Sequence, residues 1–420
     1  MRRRSAAAAI VVAVAASTLI GAAPANADYI RDGEYWLDQY GITEAWNTTQ
    51  GAGVTIAVID TGIDSSHPDL RGAVSGGADF SGVGASNGQT PVDSGDPDHG
   101  TMVGSLAAGR GSAPGVGVIG VAPKATLLSI SIGFGEGTTD SDEQVAEAVT
   151  WAVDHGADVI NMSLTRNTLS WPQSWDDAFL YAMEHDVVVV AAAGNRGSGT
   201  TSVGAPATMP GVLTVAGVDR DGEASLDASA QGITIGVSAP SEQLVGATPG
   251  GGYVLWDGTS GATPIVAGIA ALVRAAHPDL DAANVINRIV ATSRDAGKKG
   301  ADPIYGFGLV DAAAAVSAKV PAVTANPMGD LAEWIRVHRR ADAPAAPAPT
   351  ATPGSPVAPS ASPEVPQASG PSDPSGTLIP SIEQLRDVGI PLALFTVFGL
   401  ALITLGAGAY RRFGGSRERE

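Results

Sequence analysis

Apolar, β-branched runs recur through the middle of the chain and predict buried strands. Four of them occupy residues 54–59, 125–132, 157–162 and 187–193. Patterns with a helical period lie between these runs, over residues 140–155 and 173–185. Strands that are apolar on both faces and alternate with helices are typical of a parallel sheet covered by helices on both sides. The pattern therefore predicts an α/β fold.

The apolar run at the amino terminus predicts a signal peptide over residues 1–27. Three arginines at positions 2–4 precede an apolar body over residues 6–20. The sequence Ala25-Asn26-Ala27 fits the small-x-small pattern of a cleavage site. The mature chain would then begin near Asp28, and an uncleaved membrane anchor is the alternative interpretation.

The apolar run near the carboxyl terminus predicts one transmembrane helix over residues 389–410. It carries no charge from Ile390 to Tyr410 and is long enough to cross a bilayer. Arginines recur in the tail at residues 411–420, which the positive-inside rule assigns to the cytoplasm. A buried core helix is the alternative. The expected location is the cell membrane, with a single span and the bulk of the chain outside.

Composition divides the rest of the chain into two parts. Residues 321–388 are assigned to a linker, because the tract at about 341–380 is rich in Pro, Ala, Ser and Thr, which cannot build a core. Two interpretations stay open for residues 328–340: a short helix that packs, or a segment that binds a partner. Residues 28–320 remain as one folded domain. The chain has no cysteine, which excludes disulfides and thiol chemistry. Its net charge of −19 disfavours nucleic-acid binding, because contact with phosphates needs a basic surface.

Polar residues that follow the predicted strands indicate where chemistry would occur, because ligand groups gather at the carboxyl ends of parallel strands. Asp60, Ser163 and the pair Gly194-Asn195 stand at such ends. Of the six histidines, His99 differs because it stands in DHGTMVGSLAAG, at the start of a helix of small residues. Each of these residues taken alone would be an ordinary turn, cap or structural residue.

Together with Ser260, these residues predict nucleophilic catalysis. Ser260 lies in WDGTSGATPIVAG, where small neighbours would leave space for a substrate carbonyl and would equally let a helix pack closely. Serine becomes a nucleophile when a histidine takes its proton and a carboxylate orients that histidine. Asp60, His99 and Ser260 stand in one of the chain orders known for such triads. Asn195 would add an amide donor for the developing oxyanion, beside the backbone N–H of Ser260.

Seven sequence blocks, in the expected order, resemble the subtilase family of subtilisin-like serine proteases. They are AVIDTGIDSSHPDL, DHGTMVGSLAAG, GVIGVAPKATL, VINMSL, AAAGN, WDGTSGATPIVAG and YGFGLVDAAAAV, and together they cover residues 51–316. The resemblance implies a subtilisin-like three-layer fold with a mostly parallel sheet. It also implies a catalytic triad of Asp60, His99 and Ser260, with Asn195 as the oxyanion donor.

The same resemblance implies where a polypeptide substrate would bind. Ser163, Leu164 and Thr165 would pair with an extended substrate as an added strand. Ala192, Ala193 and Gly194 would form walls of the specificity pocket. Side-chain preference at the cleavage site depends on the depth of that pocket, which the sequence does not provide.

Within this family the layout is similar to the mycosins, membrane-anchored subtilases of type VII secretion in high-GC Gram-positive bacteria. The signal peptide, the Pro-rich linker, the single C-terminal span and residues 35–64 carry the similarity. It implies membrane proteins of a secretion machinery as partners. Two features depart from the pattern: the cysteine pairs common in mycosins are absent, and Gly261 stands where many subtilases have methionine.

No cofactor is expected, and no set of metal ligands is predicted. Asp69 in HPDL matches a calcium ligand of the family, but the loop GRGSAPGVGVIG lacks the asparagine that usually assists it. Calcium takes six or more oxygen ligands, and too few candidates are available to name a site. The question of calcium stays open at this point.

The leading hypothesis is a membrane-anchored extracellular serine endopeptidase associated with type VII secretion. The alternatives are a mainly structural component of a secretion complex and a general surface subtilase unrelated to secretion. A lipase or esterase is disfavoured, because those enzymes use the order Ser, acid, His and a G-x-S-x-G turn, whereas Ser260 lies in Gly258-Thr259-Ser260-Gly261.

Overall fold

A computed structural model describes residues 26–92, 95–134 and 139–339. The expected transmembrane helix, the cytoplasmic tail, most of the signal peptide and most of the linker lie outside the described residues. The strands are β1 Thr55–Asp60, β2 Val74–Asp79, β3 Thr126–Ser131, β4 Val159–Met162, β5 Val188–Ala192, β6 Leu213–Val218, β7 Ile235–Pro240, β8 Leu244–Thr248 and β9 Gly252–Trp256. Seven of these strands form one sheet in the order β2-β3-β1-β4-β5-β6-β7, and every pair in it is parallel.

Helices cover both faces of this sheet. They are α1 Asn26–Gly33, α2 Trp36–Gln39, α3 Ile42–Ala45, α4 His99–Ala108, α5 Ser141–Asp154, α6 Gln173–Glu184, α7 Thr259–Ala276, α8 Ala282–Thr292, α9 Ala312–Ser317 and α10 Leu331–His338. Alternate residues of the strands enter two separate cores: Ile56 and Val58 of β1 pack toward α7, whereas Ala57 and Ile59 pack toward α5 and α6. Since side chains alternate along a strand, apolar residues at every position require cover on both faces. The predicted three-layer α/β fold with a mostly parallel sheet is thus confirmed.

The helix α7 runs through the larger core and carries Ser260 in its first turn. Among the described residues it is the one helix whose length and hydropathy match a membrane span, and it is mostly buried within the domain. Its small residues permit close packing, because a Cβ on Gly268 would lie 2.5 Å from Cβ of Val121. This apolar helix is therefore a core element, distinct from the span expected at residues 389–410.

Pro264 is the sixth residue of α7, further into the helix than its first turn. Proline has no N–H, so the carbonyl of Ser260, four residues earlier, has no intrahelical donor. The hydroxyl of Ser163 donates to that carbonyl instead, at 2.8 Å. Pro264 thereby ties the start of α7 to the segment that follows β4.

The packed part of the chain continues beyond residue 320, the domain boundary expected from the sequence. Helix α10 buries Leu331, and Trp334 packs on Trp171 with ring centroids 4.3 Å apart. Arg339 forms an ion pair of 2.7 Å with Asp176. The boundary at 320 is corrected accordingly, because residues 321–339 have apolar and charged partners on the domain despite their proximity to the Pro-rich tract.

Candidate active site

Asp60 is the last residue of β1, and His99 is the first residue of α4. The carboxylate of Asp60 is fully buried, and its Oδ1 lies 2.8 Å from Nδ1 of His99. The same oxygen accepts the backbone N–H of Thr61 at 2.7 Å, which holds the carboxylate in place. An imidazole hydrogen-bonded through Nδ1 has its Nε2 free to exchange a proton.

Local sequence explains how His99 reaches Asp60. Gly100 lies so close to the carbonyl of Gly62 that a Cβ there would collide with it. The hydroxyl of Thr61 accepts the backbone N–H of Gly100 at 2.9 Å. The start of α4 therefore packs directly against the end of β1, and this contact determines the position of His99.

The surroundings of His99 act on its pKa in opposite directions. Burial lowers the pKa by disfavouring the imidazolium. The charge of Asp60, its hydrogen bond and the charge of Asp96 together outweigh burial, so the pKa of His99 lies above its ordinary value. His99 is therefore a stronger base than a free histidine, and it is neutral only at correspondingly higher pH.

Ser260 contacts Ser163, which lines a cavity together with His99. Its Oγ donates to the carbonyl of Ser163 at 3.2 Å, while the hydroxyl of Ser163 donates to the carbonyl of Ser260. A cavity of about 210 Å³ is lined by Thr61, Asp96, His99, Phe134 and Ser163. Ser163 thus contacts Ser260 and also borders the cavity beside His99. Within the described residues, the hydroxyl of Ser260 makes no hydrogen bond to His99.

The side-chain amide of Asn195 has its oxygen Oδ1 held by hydrogen bonds, whereas its nitrogen Nδ2 is available to donate. Its Oδ1 accepts the backbone N–H of Thr259 at 2.8 Å and the hydroxyl of Thr259 at 2.9 Å. A Cβ on Gly258 would lie 3.0 Å from Nδ2 of Asn195, which locates this nitrogen beside the turn that precedes Ser260. Nδ2 has no acceptor among the described residues. Thr259, expected from the sequence only to shape a turn, is therefore what orients the amide.

The predicted substrate-binding residues follow two neighbouring strands. Ser163 to Thr165 follow β4, and Ala192 to Gly194 end or follow β5. The side chain of Leu164 packs into the smaller core, so only its backbone is available to a substrate. Ala192 and Ala193 are buried, and Gly194 has a positive φ of 99°. Backbone therefore forms most of the surface that these residues would offer.

Three residues near the site were not predicted from the sequence. Trp256 meets His99 edge to face, with ring centroids 5.8 Å apart. Asn161 is buried in β4 and donates from Nδ2 to the hydroxyl of Ser163 at 3.1 Å. Asp96 is exposed and acts on His99 through its charge. Of the three, only Asn161 could have been noticed in the sequence. A polar residue inside an apolar strand needs a hydrogen-bond partner, which here is Ser163.

The loop around Asp69, the residue that matches a calcium ligand of the family, contains a cationic side chain. Asp69 is fully buried, and its Oδ2 accepts the backbone N–H of Val118 at 2.8 Å. The guanidinium of Arg31 enters the same loop, where it donates to the carbonyl of Gly117 at 2.9 Å and pairs with buried Glu34 at 3.2 Å. The positive charge of Arg31 disfavours a second cation in this loop, where Oδ1 of Asp69 is buried without a hydrogen-bond partner among the residues that the structure describes. No group of three or more metal-ligating side chains occurs in the described part of the chain.

Comparisons with known proteins show the family of the chain. A model of the subtilase family matches residues 51–308. Subtilisin E of Bacillus subtilis (strain 168) is 38% identical over 268 residues, which is 63% of this chain and 66%, just under two thirds, of that relative.

Solved structures of two mycosin proteases are also similar. MycP1 from Mycobacterium smegmatis is 33% identical with a TM-score of 0.58, over 68% of this chain and 85% of that chain. The MycP3 protease from the type VII (ESX-3) secretion system is 32% identical with a TM-score of 0.57, over 68% and 88%. The family match covers more than half of the chain, and the sheet, the Asp60–His99 pair and Ser260 at the start of α7 accompany it. The chain therefore belongs to the subtilase family, peptidase type S8.

Proposed function

We propose that this protein is a serine endopeptidase in which Asp60, His99 and Ser260 form the catalytic triad. The observation that carries the proposal is the 2.8 Å contact between the buried carboxylate of Asp60 and Nδ1 of His99, together with the position of Ser260 in the first turn of α7. Family membership supports the same chemistry. The proposal requires the hydroxyl of Ser260 to turn from the carbonyl of Ser163 toward Nε2 of His99 when substrate binds. Catalytic hydrogen bonds are often loose in apo sites and tighten when substrate binds.

In the first step Ser260 Oγ attacks the carbonyl carbon of the scissile peptide bond. The hydroxyl proton passes to Nε2 of His99, and the carbonyl π electrons move to its oxygen, which becomes an oxyanion. The imidazolium that forms is stabilised by the charge of Asp60. Because Asp60 already raises the pKa of His99 in the free protein, it favours this proton transfer.

The oxyanion would accept hydrogen bonds from Nδ2 of Asn195 and the backbone N–H of Ser260. Both donors are oriented before substrate arrives, since Thr259 holds the amide oxygen of Asn195. Donors that need no reorganisation stabilise the transition state more than the ground state. The intermediate then collapses, the C–N bond breaks, and the leaving amine takes the proton from His99.

Hydrolysis of the acyl-enzyme repeats these steps with water. His99 removes a proton from water, the resulting hydroxide attacks the ester carbonyl, and Ser260 leaves with the proton returned by His99. The net reaction consumes one water for each peptide bond. No metal or organic cofactor takes part in the proposed mechanism.

The substrate would be an extended polypeptide that pairs with Ser163, Leu164 and Thr165 as an added strand. Support comes from the position of Ser163 on the cavity at His99, and from the buried side chain of Leu164, which leaves the backbone as the contact. Ala192, Ala193 and Gly194 would form the opposite wall. A backbone-lined cleft suits main-chain recognition of many sequences.

We further propose a mycosin-like role at the cell membrane. The signal peptide at 1–27, the linker that ends at 388, the span at 389–410 and the arginine-rich tail support a single-pass protein with its peptidase domain outside and its tail in the cytoplasm. Similarity to MycP1 and MycP3 supports an association with type VII secretion and its membrane proteins. A general surface subtilase unrelated to secretion is the alternative.

Labelling with a fluorophosphonate probe tests the catalytic proposal. The probe reacts with an activated serine and releases fluoride, so the purified full-length protein should be labelled and Ser260→Ala should not. Ser198→Ala, at an exposed serine, is the matched control and should label like the wild type. A well-folded wild type that stays unlabelled at all pH values would contradict the proposal.

A mainly structural role in a secretion complex is the second candidate. It is favoured by similarity to a further MycP1 structure, that of a serine protease described as an essential component of the type VII (ESX-1) secretion system. Complementation of a deletion strain separates the two roles. Full restoration of secretion by Ser260→Ala would favour the structural role, whereas loss of secretion with normal protein levels would favour proteolysis.

A further inference from the structure

We propose that Thr165 and Thr200 close the slot that would receive the substrate side chain just before the cleaved bond, so that the enzyme cleaves after glycine, alanine or serine. This inference rests on the proposed function, because it concerns the specificity of the same site. It adds one residue, Thr200, and a steric role for Thr165, which the resemblance assigned to substrate pairing.

The pairing of β4 with β5 determines which residues face each other across the slot. Met162 is paired with Ala191 in the parallel register. Continuing that register by three residues brings Thr165 opposite Gly194. The two predicted walls, 163–165 and 192–194, therefore continue the adjacent strands β4 and β5. Adjacent strands in a sheet lie about 4.8 Å apart, so the walls are separated by about this distance where they leave the sheet.

The side chain of Thr165 crosses the gap between these walls. A Cβ on Gly194 would lie 3.1 Å from Cγ2 of Thr165 and 2.5 Å from Cγ2 of Thr200. Both γ-methyl groups thus rest against the α-carbon of Gly194. The space that glycine leaves at this position is occupied by the two threonines.

A flat aromatic side chain needs about 7 Å between two walls, because each of its faces requires a contact of about 3.5 Å. The methyl of Thr165 lies against Gly194 and leaves no such gap. A hydrogen or a methyl group on the substrate fits beside the backbone without displacing either threonine. The size of the slot therefore favours small residues.

Neither threonine can easily move aside. Thr200 is buried, and its hydroxyl donates to Oδ1 of Asn167 at 2.8 Å. Thr165 is backed by Gly204, where a Cβ would lie 2.8 Å from Oγ1 of Thr165 and would collide with the carbonyl of Arg166. Threonine is stiff about χ1, so a bulky substrate side chain would have to displace backbone. Close packing of this kind resists such displacement.

The inference is tested with two peptide diphenyl phosphonates that differ only in the residue at the phosphorus, alanine or phenylalanine. Both react with an activated serine and release phenol. We expect the full-length protein to react at least about 10-fold faster with the alanine probe, the scale on which a pocket discriminates one or more methylenes. Equal rates, or a preference for phenylalanine, would overturn the inference.

Threonine-to-serine variants remove the methyl groups and keep the hydroxyls. Thr165→Ser combined with Thr200→Ser should narrow the ratio of the alanine and phenylalanine rates at least about 10-fold. Thr208→Ser is the matched control, because its hydroxyl also bonds a carbonyl, that of Leu169, away from the slot. An unchanged ratio in a folded double variant would overturn the role of the two threonines. If that variant does not fold, the wild-type ratio alone decides.

A parallel reaction with the fluorophosphonate, which has no peptide side chain, separates failure of this inference from failure of the proposed function. Labelling by the fluorophosphonate together with a preference for the phenylalanine probe would support the peptidase proposal and contradict the inference of a small slot. A folded protein that reacts with none of the probes would contradict both the proposed peptidase function and the inference about the slot.

Discussion

Replacing Glu34 by glutamine should change how the stability of the protein depends on pH. Glu34 follows α1 and has a fully buried carboxylate, whose Oε1 accepts the backbone N–H of Ile119 at 2.8 Å. Burial raises its pKa to about 8, although the charge of Arg31 and the Ile119 hydrogen bond act to lower it. Glutamine keeps an oxygen for the Ile119 N–H but cannot ionise.

The sign and size of the effect follow from the difference between the folded and unfolded pKa. The ordinary value is 4.5 and the folded value about 8, so the folded protein holds the proton more tightly. The stabilisation is complete below pH 4.5 and is lost as pH rises through 8, at up to about 1.4 kcal/mol per pH unit. Across this window the wild type should lose about 3–6 kcal/mol of unfolding free energy that the Glu34→Gln variant keeps.

The assay is urea denaturation of both proteins at pH values from about 5 to 9, the window over which the difference accumulates, analysed as the difference between their unfolding free energies. Glu44→Gln, at an exposed carboxylate on the nearby α3, serves as control for the loss of a carboxylate that is not buried. A constant difference for Glu34→Gln would refute the reasoning. So would a wild type that loses stability on acidification relative to the variant, since that would mean that Arg31 outweighs burial.

Three further predictions concern catalysis and cation dependence. Asp96→Asn removes an exposed charge that raises the pKa of His99, so the acid limb of the kcat/KM profile should move to lower pH; an unmoved limb would contradict this. Asn195→Ala should lower kcat about 100- to 1000-fold with little change in KM, as steady-state kinetics would measure, and a loss confined to KM would exclude the oxyanion role. The melting temperature of the wild type should be the same with calcium chloride as with EDTA, because the guanidinium of Arg31 places a positive charge in the loop at Asp69. A calcium-dependent increase in the wild type would show that the loop at Asp69 binds the ion.

Much of the site follows from short sequence patterns. Asp60 ends an apolar run and His99 stands beside a glycine, and the structure has these two residues in contact as the chain order predicts. Asn195 and Ser260 also lie in one small region, joined through Thr259 and Ser163. The roles of the residues as triad, oxyanion donor and substrate walls stay predictions until labelling and kinetics test them.

Contacts between distant segments were not accessible in the same way. Asn167 bonds Thr200, and Arg31 bonds Gly117, across loops whose sequences have no periodic pattern. The end of the domain was placed at 320, ahead of the Pro-rich tract that begins near 341, and residues 328–340 were left open. In the structure α10 packs on Trp171, and Arg339 pairs with Asp176. Composition predicts the conformation of a segment in isolation. Whether the segment packs on the domain depends on the side chains that surround it in the folded structure.

The sequence by itself determined the fold class, because runs of apolar residues on both faces of a strand have one stable solution, a sheet covered on both sides. It also predicts the chemistry of the site, since Asp60, His99 and Ser260 stand in the chain order of a known serine-protease triad. Only the tertiary structure decided which groups touch: the methyls of Thr165 and Thr200 against Gly194, and the guanidinium of Arg31 in the loop near Asp69. Specificity and cation dependence rest on distances of a few ångström between segments far apart in the chain, and local patterns carry no information about those distances.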